Sequence, residues 1–379
     1  MKIVIDISQI AYQGSGVANY TAELTANLLS LDKKNSYCLF GYGLRSLETL
    51  RAFCRNLPKH PRLEKMLFPF PQSLVSFWGN TLHKINLENL LGNFDLYHSS
   101  DWIQFPSQAI KVTTIHDLVV YRYPETSAAS IIRQQKKRLE HVKREADLIL
   151  ADSQSTKRDV ENILGLPKEK IVIVYPGIKS EFSQKTDNQV KQIRDKYGIT
   201  RKYFITVGTL EPRKNLKTTL AAFSLFRLKH WQKENRADLV VIGKKGWSAD
   251  AAAGEDVKVL GLISDKDLAV LYSGAKGLIF PSLYEGFGLT VAEAMASGCP
   301  VITSSRGSLK EVGGEAVLYA DPENPKNISE KIYRLLSEDK LRNKLTEKGL
   351  QQAEKFSWRK TAAEILLNYE ELYRKRHKL

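Results

Sequence analysis

Residues 277–305 read GLIFPSLYEGFGLTVAEAMASGCPVITSS, and the way this stretch folds decides the class of the whole chain. The opening GLIFPS is short and apolar, the pattern of a strand buried on both faces. A second such run, PVITSS, closes the stretch. Between them, two glycines stand where a strand hands over to a helix, and a glutamate stands at each end of EGFGLTVAE (285–293). Strand, helix and strand in this order make a βαβ unit, whose strands pair in parallel.

The same alternation runs along the chain. Short apolar runs recur as KIVIDIS, YCLFGY, LYHSS, KVTTIHD, LILADS and KIVIVYP in the first half. In the second half they are YFITVG, DLVVIG, VKVLG, GLIFPS, PVITSS and AVLYA. Longer amphipathic stretches separate them. The fold class is therefore α/β, with two doubly wound Rossmann-like domains facing across a cleft and a C-terminal helix. The polar segment YPGIKSEFSQKTDNQ (175–189) is read as the linker, which places the domains at 1–182 and 183–358. The remaining 359–379 is expected as a basic amphipathic helix crossing back to the first domain. A chain of 379 residues is too long for one core and suits two.

Composition excludes several classes. Hydrophobic residues make up 42% and charged residues 26%, ordinary for a globular protein. No apolar run approaches the roughly 20 residues a membrane-spanning helix needs. MKIVIDISQ reads as a first strand rather than a signal peptide. Cys38, Cys54 and Cys299 are odd in number and form no C-x-x-C pair, so neither a disulfide framework nor a zinc site is expected, and a cytoplasmic location is. The net charge of +15 favours anionic partners. Its densest cluster, RQQKKRLEHVKRE (133–145), lies beside Ile131, Ile132, Leu139 and Val142 at helical spacing. It reads first as a solvated helix face. Docking on anionic lipid, a peripheral contact with the inner face of the membrane, stays open behind that. No nucleic-acid motif appears, so no nucleic-acid partner is expected.

In open parallel sheets ligands sit outside the carboxyl ends of the strands. The strand-end segments here are HD (116–117), DSQST (152–156), GTLEPRKN (208–215), GKKGW (243–247) and EGFG (285–288). With a helix beginning near Phe287, the amides of Gly286, Phe287, Gly288 and Leu289 are donors at a positive helix end, a phosphate site that the glycines leave approachable. Glu293, a turn further in, is placed to accept hydrogen bonds from a ribose diol. Glu285 stands on the other side of the phosphates, where sugar hydroxyls would lie. A nucleotide-sugar spans both carboxylates. Taken alone, GFG reads as a tight turn. A nicotinamide reading is weaker still, because Val291 replaces the third glycine of its fingerprint. Arg213 and Lys214, adjacent at another strand end, suit a diphosphate leaving group as its charge develops, with Glu211 holding Arg213 in position.

At this point the chain resembles a known family. GTLEPRKN, PSLYEGFGLTVAEAMASGCPVI and HDLVVYRYPE look like the retaining glycosyltransferases of the GT-B fold in family four, the glycosyl transferases group 1 of bacterial polysaccharide synthesis, and mannosyltransferase-like members most of all. The glycine loop GSGVANYTAEL (14–24), VYPGI (174–178), GLISDKDLAVLYSGA (261–275) and FSW (356–358) extend the likeness over nearly the whole chain. The resemblance implies that Glu293 binds the donor ribose and Glu285 the donor sugar, while Arg213 and Lys214 grip the diphosphate with the amides of Gly286, Phe287, Gly288 and Leu289. It implies that His116 lies beside the donor sugar, that Gly16 lets backbone approach the diphosphate, and that Leu262, in the LGL segment, lies near the base. Thr209 replaces an arginine of many relatives, and Thr290 a common proline.

His98, His141 and His230 read as structural. The strand-end place of His116 beside Asp117, with the resemblance, marks it as functional, though not as a general base. No metal-binding spacing appears at the strand ends, so metal-independent transfer is expected, with no cofactor beyond a nucleotide diphosphate sugar, GDP-mannose favoured. The acceptor is expected to be a glycan or lipid-linked glycan. The apolar segment 66–91, with Phe68, Phe70, Phe77 and Trp78, reads first as helices packing on the sheet, and an acceptor or lipid surface stays open. The rival readings are a sugar-nucleotide epimerase or phosphorylase on the same scaffold, and a non-catalytic nucleotide-binding protein.

Overall fold

Alternation of apolar residues along β1 (Lys2–Asp6) feeds two opposite faces of one sheet. Ile3 and Ile5 pack with Leu24, Leu28 and Leu39 on one face, while Val4 packs with Cys38, Phe40 and Tyr97 on the other. A strand so covered cannot alternate apolar with polar, which is why these runs are continuously hydrophobic. The computed structural model describes residues 1–208, 211–230, 236–243 and 256–378. It divides into two units, Met1–Gly177 with Ser357–Leu379, and Ile178–Phe356.

The first unit carries β1, β2 (Ser36–Tyr42), β3 (Leu63–Phe68), β4 (Leu96–Ser99), β5 (Ile110–Ile115), β6 (Leu148–Ala151) and β7 (Ile171–Ile173). All pair in parallel in the order β3-β2-β1-β4-β5-β6-β7. β3, LEKMLF, is absent from the apolar runs read in the sequence because Glu64 and Lys65 interrupt it. It is an edge strand, where charge is tolerated and discourages pairing with other chains. The segment 66–91 therefore begins as strand rather than helix. Phe68 and Phe70 stack, Trp78 packs edge-on against Phe105, and Phe77 stays 55% exposed.

Four helices matter below: α1 (Gly16–Leu31), α2 (Ala129–Glu145), α3 (Leu289–Ala296) and α4 (Trp358–His377). The basic helix α2 is not wholly solvated. Arg138 is 1% exposed, with its guanidinium 2.9 Å from Asp101 and donating to Thr113 Oγ1. Burying that charge is tolerable only because it is paired and hydrogen-bonded.

The second unit carries β8 (Lys202–Val207), β9 (Ala237–Ile242), β10 (Val257–Gly261), β11 (Leu278–Phe280), β12 (Val301–Thr303) and β13 (Leu318–Tyr319), parallel in the order β10-β9-β8-β11-β12-β13. Phe182 lies in its core and the Ile178 amide bonds to the Phe356 carbonyl, so the chain enters this unit at Ile178, within the segment read as linker. In each sheet the strand order reverses once, between β1 and β4 and between β8 and β11. Such switch points leave a crevice at the carboxyl ends.

Helix α4 belongs to the first unit, where Trp358, Ala362, Ile365 and Tyr369 are buried. Trp358 meets the Tyr20 ring edge-on at 5.3 Å, and the Tyr369 hydroxyl bonds His98. Replacing Trp358 with alanine should lower the stability of the first unit by about 3–5 kcal/mol. Denaturant unfolding checks this, and a loss confined to the second unit's transition would contradict it.

Candidate active site

The switch point of the second sheet brings together the segments that follow β8 and β11. Pro212–Lys214 forms one tight 3-10 turn, and Asn215 ends it in the left-handed conformation (φ 59°). The Asn215 side chain donates to the carbonyls of Pro281 (3.1 Å), just past β11, and Pro322 (2.7 Å), just past β13. The Arg213 carbonyl accepts the Leu283 amide at 2.9 Å. The two segments are thus fastened before any charge is considered.

On that frame Glu285 sits between two cations. Its Oε1 lies 2.8 Å from Lys214 Nζ and accepts from Ser282 Oγ at 2.6 Å, and its Oε2 lies 3.0 Å from Arg213 Nη1. Arg213 also donates to the Tyr284 carbonyl (2.6 Å) and to Glu211 Oε1 (2.7 Å). Burial alone would raise the Glu285 carboxyl, but the charges of Arg213 and Lys214, with hydrogen bonds from Lys214 and Ser282, outweigh it and hold it at about 2. Glu285 therefore has a role beyond the one read from the sequence: both its oxygens serve the cations, fixing where they point. An ammonium carries three N–H bonds, and Lys214 spends one on Glu285.

The glycines after Glu285 have a steric reason. Gly288 caps α3 at φ 99°, and a Cβ there would come within 2.8 Å of Leu309 Cδ2. At Gly307 (φ 58°) a Cβ would lie 2.8 Å from the Glu285 carbonyl oxygen, while Ser308 Oγ reaches the carbonyls of Glu285 (3.0 Å) and Phe287 (2.5 Å). The loop after β12 thus braces the EGFG turn from below. The Phe287 side chain is buried edge-on against Phe356 at 5.1 Å, which fixes the turn's main chain in place. The first-turn amides of Leu289 and Thr290 have no carbonyl one turn earlier to bond.

Glu293 follows on α3, partly buried. Burial and the nearby Asp265 carboxylate push it up to about 8, against Lys179 and Lys214. Near neutral pH such a group both donates and accepts hydrogen bonds. Leu262, just past β10, is 62% exposed. Thr209 and the Lys244–Trp247 part of GKKGW lie outside the described residues.

In the first unit, His116 follows β5 and Asp152 follows β6. The register Ile115↔Ala151 sets them side by side, with His116 Nδ1 2.6 Å from Asp152 Oδ2. Asp117, its neighbour in sequence, accepts the Val119 amide instead. Burial would lower the His116 imidazole, but the Asp152 carboxylate more than offsets this and leaves it above its usual value. The Tyr20 ring meets His116 edge-on at 4.6 Å. Gly16 opens α1 behind the N-cap Ser15, and a Cβ there would meet nothing within 4 Å.

The same sheet end holds a cavity of about 310 Å³ lined by Ser8, Gln9, Tyr12, Arg45, Gln72 and Trp102, among others. Gln9 is buried with its Oε1 lacking a hydrogen-bond partner. It also lines a smaller space that reaches Asp6, His98 and His116. The expected residues thus form two clusters, one in each unit. Sequence reasoning missed Asp152, Asn215, Ser282, Ser308 and the Gln9 cavity. Asp152 and Asn215 lay within the strand-end segments DSQST and GTLEPRKN, and the strand ends HD and DS bring Asp152 beside His116 once the sheet order is known.

Residues 189–352 match the family described as Glycosyl transferases group 1, and residues 14–182 match Glycosyltransferase Family 4. The chain is 29% identical over 384 residues to O-antigen chain mannosyltransferase B of Escherichia coli, covering 97% of this chain and 99% of that protein. Among solved structures it is similar to sucrose-phosphate synthase of Thermosynechococcus elongatus, with a TM-score of 0.75, 19% identity and coverage of 98% and 99%. It is also similar to Anabaena HepE in complex with UDP and glucose, with a TM-score of 0.72, 15% identity and coverage of 98% and 99%.

The raised Glu293 carboxyl has a measurable consequence. Its native value near 8 lies above the unfolded value near 4.5, so the folded chain holds a proton that the unfolded chain releases, and stability falls as pH rises through that window. Glu293→Gln should unfold with the parent at pH 4 and roughly 10 °C or more above it at pH 9. Thermal unfolding at both pH values decides this; equal transitions at pH 9 would mean the carboxyl carries no such penalty.

Proposed function

We propose that the chain, which has the GT-B fold, is a glycosyltransferase that transfers a hexose, with retention, from a nucleotide diphosphate sugar to a glycan or lipid-linked acceptor in cell-surface polysaccharide synthesis. Mannose from GDP-mannose is the favoured donor, which the likeness to an O-antigen mannosyltransferase supports. The observation that carries the reading is the cluster of Glu285, Arg213 and Lys214 beside the first turn of α3, at the switch point of the second sheet.

In this reading the donor diphosphate lies against Arg213, Lys214 and the Gly286–Leu289 main chain. The bond between the anomeric carbon and the diphosphate oxygen breaks, and the acceptor hydroxyl oxygen bonds to that carbon on the same face. The acceptor's proton passes to the departing diphosphate. The cations and helix amides stabilise the charge that grows on this leaving group, and they act without a metal ion. Because Glu285 already orients both cations, little reorganisation remains for the reaction itself. Glu293 takes the ribose diol, and Leu262 lies toward the base. From the first unit, His116 is assigned to the donor sugar. The cavity of Tyr12, Trp102 and Gln9 is assigned to the acceptor, because aromatic walls and amides suit sugar rings.

No helix among the described residues is long and apolar enough to cross a membrane. Peripheral contact with anionic lipid is part of the proposal. Leu74 (56% exposed), Phe77, Leu82 and Ile85 form an apolar segment beside basic α2, which Lys137 joins by a 3.3 Å hydrogen bond to Thr81. Apolar groups flanked by cations suit the head-group layer. Vesicles rich in anionic lipid should sediment the parent, while Phe77→Ser should remain largely in the supernatant; equal sedimentation would remove this part.

The transfer itself is tested with purified protein, GDP-mannose, UDP-glucose and similar donors, no added metal, and a glycan acceptor. Lys214→Ala should lower kcat by roughly 10²–10³-fold. Glu293→Ala should raise the donor KM about tenfold, as expected when one hydrogen bond to the ribose is removed. Trp102→Ala should raise the acceptor KM and leave the donor KM unchanged. If no nucleotide-sugar is bound or consumed, the function is wrong; conversion of the donor without an acceptor would make the protein an epimerase.

A further inference from the structure

A group of side chains outside this chemistry lies where α2 meets the segment before β4. His141 and Glu145 stand one helical turn apart on α2, and His83 ends the π-helical stretch Phe77–Leu82 in the left-handed conformation (φ 46°). One ligand atom from each of the three lies within 4.8 Å of the others. We propose that His83, His141 and Glu145 hold a divalent transition-metal ion of the zinc class.

The hydrogen bonds around the two imidazoles point to this. His83 Nδ1 lies 2.6 Å from the Gly79 carbonyl, and His141 Nε2 lies 3.1 Å from the Asn80 carbonyl, two adjacent acceptors of one turn. A carbonyl can only accept, so each contact fixes a proton on the ring nitrogen that makes it, Nδ1 of His83 and Nε2 of His141. That leaves His83 Nε2 and His141 Nδ1 to face inward, toward the same oxygen, Glu145 Oε1. Metal-ligating histidines are oriented in this way, with the outer N–H given to a carbonyl or carboxylate. Helix α2 supplies two ligands at i and i+4, the spacing that puts both on one face. Glu145 Oε2 is buried without a hydrogen-bond partner, and the Lys111 ammonium 3.9 Å away offsets charge on that oxygen while Oε1 faces the histidines.

The ligand set, two imidazoles and one carboxylate, suits zinc, cobalt or nickel and leaves a fourth position for water. Ligation at about 2.0–2.1 Å requires the donors to draw together. The two rings, stacked with centroids 3.6 Å apart and 14° between planes, must also splay so that one ion meets both lone pairs. The ion would tie the apolar segment to α2, fixing the surface between them.

Equilibrium dialysis of the full chain against Zn²⁺ at neutral pH should show one ion per chain, and Co²⁺ should give the visible absorption of a four-coordinate site. His141→Ala and Glu145→Gln should each weaken binding by at least about tenfold, while His60→Ala and His377→Ala leave it unchanged. Circular dichroism confirms folding, and His141→Ala is read alone if Glu145→Gln does not fold. Less than one equivalent bound, or affinity indifferent to His141, overturns the proposal. No donor or acceptor enters this measurement, so it stands or falls apart from the transfer assay.

Discussion

One carboxylate orders the second unit's site. Glu285 is nearly enclosed, yet it stays ionised because Arg213 and Lys214 reach it from a different strand end. Removing either cation would leave a buried charge short of a partner, which is costlier than the pair is favourable. Removing the carboxylate would leave two adjacent cations repelling each other on a fixed turn. The triad is therefore a positioning device held by mutual necessity, and the diphosphate we propose for it would have to share the two cations without displacing their anchor.

The backbone around the triad exists to make that geometry repeatable. Asn215 accepts a left-handed twist in order to pin the turn, Gly307 and Gly288 remove Cβ atoms that would collide, and Ser308 ties two carbonyls of the EGFG turn to the next loop. Each is a small cost to chain freedom, and together they hold charged groups on rigid ground, as preorganised electrostatics requires.

Much of this was legible from residues alone, and the limits have physical reasons. Strands covered on both faces announce themselves as apolar runs, so all the runs read as strands form them. β3 did not announce itself, because an edge strand can carry Glu64 and Lys65. EGFG and PRKN were legible as chemistry because each is contiguous, but their pairing is a product of sheet order. His116 was singled out while its partner was not: Asp152 is remote in sequence and adjacent only through the β5–β6 register. Arg138 was read into a solvated basic face, although Asp101 and Thr113 draw it fully inside. His141 was read as structural, and nothing in a linear pattern could bring His83 to it.

The return of α4 to the first unit bears on how the protein is made. A ribosome delivers the first sheet early, yet Trp358, Ile365 and Tyr369, which seal one of its faces, emerge only after the whole second unit. The continuous second unit can close as soon as Phe356 is out. Synthesis normally lets N-terminal domains settle first; here the half that is translated first keeps an apolar flank uncovered until α4 follows the second unit.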